Sequence, residues 1–168
     1  MKTYTSILQI TALLSLVFVL STCSQPSSKK ELADYVYPLL GTSSSRWMLF
    51  PGPCLPFGMV KLSPDNTDEG QYKLGAGYEY DIKSITGFGH VHSWMMGSFT
   101  TMPTTGELMV NPVTADAPDT GYRSRIDNSK TQASAGFYSA VLEDYNIKAE
   151  LTATTRGGFQ RYSFPKTE

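Results

Sequence analysis

Phe137-Tyr138-Ser139-Ala140-Val141-Leu142, Asp144-Tyr145-Asn146 and Ile147-Lys148-Ala149-Glu150-Leu151-Thr152-Ala153-Thr154 together decide the fold. In the last segment Ile147, Ala149, Leu151 and Ala153 fall on one side of an extended chain. Lys148, Glu150, Thr152 and Thr154 fall on the other. A period of two gives a strand with one buried and one wet face. Phe137 to Leu142 reads as a second strand, and Asp144-Tyr145-Asn146 supplies the turn between them. After Gly157-Gly158, Phe159 to Phe164 makes a third strand, with Tyr162 and Phe164 sharing a face. Three short strands in succession predict an antiparallel meander inside a β-sandwich.

The rest of the chain agrees with a mostly-β reading. Gly58 to Leu62 alternates before Ser63-Pro64-Asp65, Gly77 to Tyr80 alternates, and Glu107 to Val110 does so less strictly. Glu31 to Val36 is long enough for one or two helical turns, and no longer helical periodicity competes. Gly 14, Pro 10, Tyr 10 and Phe 8 in 168 residues lean toward strands and turns. Hydrophobic residues at 40% against 17% charged argue for a packed domain rather than disorder. Fourteen bases against 15 acids leave a net charge of -1, without the basic stripe that a nucleic-acid partner needs. The third strand sits close to the last residue. Either the sandwich closes on its other strands, or the chain is the front part of something larger.

Residues 1–22 read as an address. Lys2 and the apolar run Ile7 to Leu20 have the dimensions of a signal-peptide core, too short to span a bilayer comfortably. The ending Leu20-Ser21-Thr22-Cys23 resembles the lipobox of bacterial lipoproteins, in which the cysteine is acylated and becomes the first residue. That makes Cys23 the lipidation site, 23–32 a flexible Ser/Lys tether and 33–168 the folded domain. An ordinary secretory signal with an incidental cysteine is the alternative. Lipidation places the protein in the bacterial cell envelope, at the periplasmic face or the outer-membrane surface. Cys54, in Pro53-Cys54-Leu55-Pro56, is expected to be a small buried hydrophobe, since nothing local would lower its pKa.

Chemistry-bearing residues are few. His90-Val91-His92 holds both histidines, and on a strand their side chains would share a face. Three readings stand: hydrogen-bonding residues lining a polar cleft, ordinary structural histidines, or two ligands of a metal that would need a third. Trp94 offers an indole face to the C–H side of a sugar ring, or packs in the core. Asp65-Asn66-Thr67-Asp68-Glu69-Gly70 starts like a calcium loop. Thr67 stands where a ligand belongs and Ala76 where the bidentate Glu belongs, so it reads as a polar turn.

Several of these stretches resemble glycoside hydrolase family 92. They are Tyr37-Pro38-Leu39-Leu40-Gly41-Thr42, Phe50-Pro51-Gly52-Pro53-Cys54-Leu55-Pro56-Phe57-Gly58-Met59-Val60, Leu62-Ser63-Pro64-Asp65 and Gly77-Tyr78-Glu79-Tyr80. Ile85-Thr86-Gly87-Phe88-Gly89-His90-Val91-His92 and the run from Ala133 to Tyr162 extend the likeness, in order and spacing, from about Ala33 to the last residue. The resemblance implies calcium-dependent, inverting, exo-acting α-mannosidases with an N-terminal β-sandwich and a C-terminal (α/α)6 barrel. In such enzymes the acid, the base and most calcium contacts belong to the barrel.

It therefore implies an incomplete N-terminal domain of a larger two-domain enzyme, inactive alone and holding no calcium itself. Mannose-containing glycans, the barrel and a membrane reached through a lipid anchor are the implied partners, with no nucleic acid. His90, His92 and Trp94 become the expected substrate contacts, and no catalytic residue is expected in this chain. Where many relatives follow the histidines with a Ser-Gly-Thr-Gly-like loop, this chain has Ser93-Trp94-Met95-Met96-Gly97-Ser98-Phe99. A stand-alone surface glycan-binding lipoprotein without catalysis is the alternative. A structural lipoprotein without a sugar site is the third reading.

Overall fold

The computed structural model describes residues 30–43, 49–67, 76–92 and 99–166. The signal segment, Cys23 and Trp94 lie outside the described residues, as does most of the tether. Residues Leu32 to Glu168 cluster as one compact unit.

The meander forms as its alternation dictates, with one strand more than expected. β6 (Gln132–Ser134), β7 (Phe137–Leu142), β8 (Ile147–Ala153) and β9 (Gly158–Ser163) make one antiparallel sheet in that order. β7 and β8 pair from Phe137↔Thr152 to Leu142↔Ile147, and β8 and β9 from Lys148↔Ser163 to Ala153↔Gly158. The turn between β7 and β8 uses Asn146 at φ 51°, a left-handed conformation that Asn tolerates better than most residues. Gly136 at φ 78° turns β6 into β7. β6 was not legible because Gln132-Ala133-Ser134 carries too little apolar contrast to show a period.

The facing layer is built of very short strands. β1 (Ser63–Asp65), β3 (Gly87–Gly89) and β4 (Thr100–Thr101) form a sheet in the order β1-β3-β4, and β2 (Ser84–Ile85) pairs with β5 (Ser124–Arg125). Every pairing is antiparallel. The core lies between the layers. Tyr138, Ala140 and Leu142 of β7 and Ile147, Ala149 and Leu151 of β8 pack with Val60, Leu62, Ile85, Phe88 and Ile126. Phe88 meets Tyr162 at 5.9 Å between ring centroids, and Thr101 bonds to Gln160 and Tyr162, so β3 and β4 are tied to β9. This is a mostly-β antiparallel sandwich.

Five expectations need correction. Gly58 to Leu62 is not a strand beyond a single bridge, Lys61↔Cys54; the strand begins only at Ser63. Pro64 is tolerated because β1 is an edge of its sheet. Gly77 to Tyr80 and Glu107 to Val110 form no strand: the first is held by side chains, and the second lies exposed. Cys54 is exposed, not buried, because the chain turns outward there. Phe164 lies past the end of β9 and is exposed, while Tyr162 packs on the core. The expected helical turns appear as a short 3-10 helix, Leu32–Tyr35.

Candidate functional site

One end of the sandwich gathers three segments that the sequence keeps apart. Residues 50–62 fold back on themselves, with Gly58 N–H donating to Leu55 O at 2.9 Å and Leu62 N–H to Pro53 O at 3.3 Å. Gly52 is obligatory in this crossing, since a Cβ there would stand 1.9 Å from the Leu62 carbonyl. The hairpin is tied to the β8–β9 turn by Met59 N–H donating to Thr155 O (2.8 Å). It is tied to the histidine segment by Lys61 N–H donating to His90 O (2.9 Å). At its tip Phe57 is fully exposed at φ 58°, a conformation that costs a bulky residue strain, and Met59 beside it is exposed too.

The two histidines do not share a strand face, because β3 ends at Gly89 and the chain bends at His90. The His90 ring lies partly exposed against the backbone of Gly158. A Cβ on that glycine would fall 2.6 Å from His90 Cδ2 and 2.7 Å from Nε2. His92 is wholly buried. Its Nδ1 lies 2.7 Å from the carbonyl of Lys61, and its ring stands 5.5 Å from that of Phe50. Its Nε2 is 3.1 Å from Asp65 Oδ1, within ion-pair range, yet neither atom makes a hydrogen bond. Both histidines thus engage the backbone of Lys61, His90 at the surface and His92 beneath.

Asp65, Asn66 and Arg123 complete this end, and sequence reasoning missed all three as structural centres. Asn66 is fully buried, and its amide donates to Glu79 O (2.8 Å) and Ile82 O (3.2 Å) while accepting from Glu79 N–H (2.7 Å). It supplies the bonds that a partner strand would otherwise give to Gly77–Tyr80. Arg123, 1% exposed, donates through Nη1 to Asn66 O (2.9 Å) and Ser84 Oγ (3.0 Å). Thr86 donates from both N–H and Oγ1 to Asp65 O. Burial pushes the neighbouring Tyr78 phenol well above its ordinary pKa, so it stays neutral. The turn-like string Asp65-Asn66 was the available signal for two of these residues; Arg123, two positions before Arg125, sits in no motif and offered none.

Two open grooves lie away from the histidines. One of about 390 Å³ sits on the outer face of the meander between Phe137 and Phe159, and one of about 290 Å³ is lined by Asp119, Arg123, Asp144 and Tyr145 among others. Neither is lined by the histidines. Among the described residues no three His, Cys, Asp or Glu side chains gather as a metal site. The pair at His92 and Asp65 offers one nitrogen and one oxygen, unlike the six to eight oxygens that calcium takes.

Residues 35–168 match the glycosyl hydrolase family 92 N-terminal domain. A family GH92 α-mannosidase from Bacteroides thetaiotaomicron superposes with a TM-score of 0.77 at 37% identity, over 84% of this chain and 20% of that one. The same enzyme in complex with mannoimidazole gives 0.76 at 38% identity, over 82% of this chain and 19% of that one. An uncharacterized secreted glycosidase of Arthroderma benhamiae is 28% identical over 142 residues, 80% of this chain and 18% of that protein. The chain therefore spans about a fifth of the length of these relatives.

Proposed function

Because the chain belongs to glycosyl hydrolase family 92 through its N-terminal domain, we propose that it is the carbohydrate-contacting sandwich of an exo-acting α-mannosidase, inactive by itself. The observation that carries this reading is the 37% identity to a family GH92 α-mannosidase across 84% of the chain. In a complete inverting enzyme one carboxylic acid protonates the leaving glycosidic oxygen while a carboxylate activates water. The two stand about 6.5–9.5 Å apart to admit that water. In this proposal both carboxylates, and the calcium contacts, belong to the (α/α)6 remainder of the parent protein.

The sandwich's part is to complete the sugar site at the end where His90 and His92 lie. His90 reaches the surface and is the contact position. His92 supports the segment from beneath, and Trp94 follows two residues later. A secreted relative supports an extracellular or envelope location. Acylation at Cys23 would hold the protein on the membrane there, and mass spectrometry of the detergent-extracted native protein tests that directly.

The binding test uses the purified chain and mannoimidazole at millimolar concentration. Shifts in the His90 ring resonances and in Trp94 fluorescence, without hydrolysis of an aryl mannoside, are expected. Unchanged spectra would remove the sugar-contact role from this end. Hydrolysis by a preparation free of host glycosidases would place catalysis in this chain.

A further inference from the structure

The outer face of the β6–β9 sheet carries a groove that neither histidine lines. Phe137, Thr152 and Phe159 stand opposite one another on β7, β8 and β9. Neighbouring strands lie ~4.8 Å apart, so the two phenyl rings are rooted about 10 Å apart with Thr152 between them. They wall an open groove of about 390 Å³, and Glu150 and Arg161, paired with each other, form its next row. Phe159 is 58% exposed and Phe137 half-buried, a patch of aromatic surface rather than a scattered residue. The charges around the groove do not cancel. Glu150 is the carboxylate that lines it, and two cations share that group, Arg161 Nε at 2.8 Å and Lys148 Nζ at 3.0 Å. Arg156, exposed in the turn between β8 and β9, adds a cation at the end where Phe159 lies. Three cations against one carboxylate leave the groove positive, which favours an anionic occupant. Glu150 also fixes the guanidinium plane. With Nε committed and the side chain 75% exposed, the Nη edge stays open in the fork geometry that carboxylates and phosphates fit.

We infer that this groove binds an acidic glycan, a sugar chain bearing carboxylate or phosphate groups, with sugar rings against Phe137 and Phe159 and an anion on Arg161. Phenyl walls take the C–H faces of sugars, and a few placed polar groups fix the orientation. The four residues sit on paired strands, so the ladder holds rings and guanidinium at a set spacing without help from a loop. That the anion is carried by a sugar rests on the function proposed above; the positive aromatic groove does not.

Spectra of the phenylalanine rings and of the Arg161 Nε–H group, recorded on the full chain, test the groove by titration with trigalacturonic acid and with mannose 6-phosphate. Phe137, Phe159 and Arg161 are expected to move together, and the probe that moves them identifies the anion as carboxylate or phosphate. Uncharged mannotriose should bind about tenfold more weakly, and Phe159→Ala and Arg161→Gln should each weaken the acidic probe about tenfold. Arg156→Gln lies in a turn outside the ladder and should weaken it by a smaller factor, which keeps the test sound if Arg161→Gln loosens β9. Silent rings with both anions, equal binding of mannotriose, or equal shifts with oligothymidylate would each overturn the inference. Mannoimidazole read at His90 reports separately on the site proposed above, so failure of one reading is distinguishable from failure of the other.

Discussion

The two layers of this sandwich are held by different means. In the β6–β9 sheet, long runs of paired backbone carry the structure, and alternate side chains simply meet the core. In the facing layer, among the described residues, no strand exceeds three residues. There, buried polar side chains stand in for ladder bonds: Asn66 holds Gly77–Tyr80, Arg123 ties Asn66 to Ser84, and His92 caps Lys61. A layer whose chain turns every few residues exposes loops that can be shaped for binding, and the histidines lie on that layer. The regular sheet supplies rigidity; in the function proposed above, the irregular one supplies the sugar contacts.

The contrast is broken first in the regular sheet. Leu151 is 1% exposed at the centre of the core, and Leu151→Ala should cost about 3 kcal/mol, with the urea midpoint falling at constant slope. A loss below about 1 kcal/mol would show that the core there collapses around the cavity, contrary to a rigid sheet.

Asn66→Ala applies the same question to the irregular layer. Three hydrogen bonds disappear, and Glu79 N–H and the carbonyls of Glu79 and Ile82 lose their partner. A cost of about 2 kcal/mol is expected. Its signature should differ from that of Leu151→Ala: hydrogen exchange should accelerate at Glu79 while β7 and β8 keep their protection. Uniform acceleration would mean that the two layers open as one unit.

That difference also explains what the sequence revealed. Ile147 to Ala153 announces its strand because seven residues repeat one period against a single core. Ser63-Pro64-Asp65 shows no period of its own, and its pairing with Gly87–Gly89 is what makes it an edge strand. Gly77 to Tyr80 alternated without becoming a strand, since one distant asparagine took over its bonds. The family motifs brought His90 and His92 into view, but not that one is buried and the other at the surface. That split depends on a bend after Gly89 and on Asp65, 27 positions away in sequence from His92. The exposure of Cys54 follows from the crossing at Gly52, which no local pattern encodes.

Gly158→Ala probes the seam between the layers. The new methyl would meet the His90 ring at 2.6 Å, so the ring must swing while β9 keeps its pairing. A stability loss of about 1 kcal/mol is expected. His90 resonances should move strongly, and those of Leu151 should not. If mannoimidazole binding survives with His90 displaced, the ring is not the sugar contact.

The smallest effect is electrostatic and lies on the wet face of the regular sheet. Glu150 accepts from Arg161 Nε at 2.8 Å and from Lys148 Nζ at 3.0 Å. Those bonds, Arg161 first, lower its pKa from 4.5 to about 2. A carboxylate whose pKa falls on folding stabilises the fold fully above the unfolded value. That contribution fades as pH drops through the interval from 4.5 to about 2. Wild type should therefore lose urea resistance across this window more steeply than Glu150→Gln, with β9 exchanging first because Arg161 is its link to β8. Arg161 is 75% exposed, so water and salt weaken the pair and the difference should shrink at high ionic strength. Equal pH slopes in the two proteins would show that the backbone ladder alone holds β9. The regular sheet would then owe nothing to its charges, and the contrast with the layer built on Arg123, Asn66 and His92 would be complete.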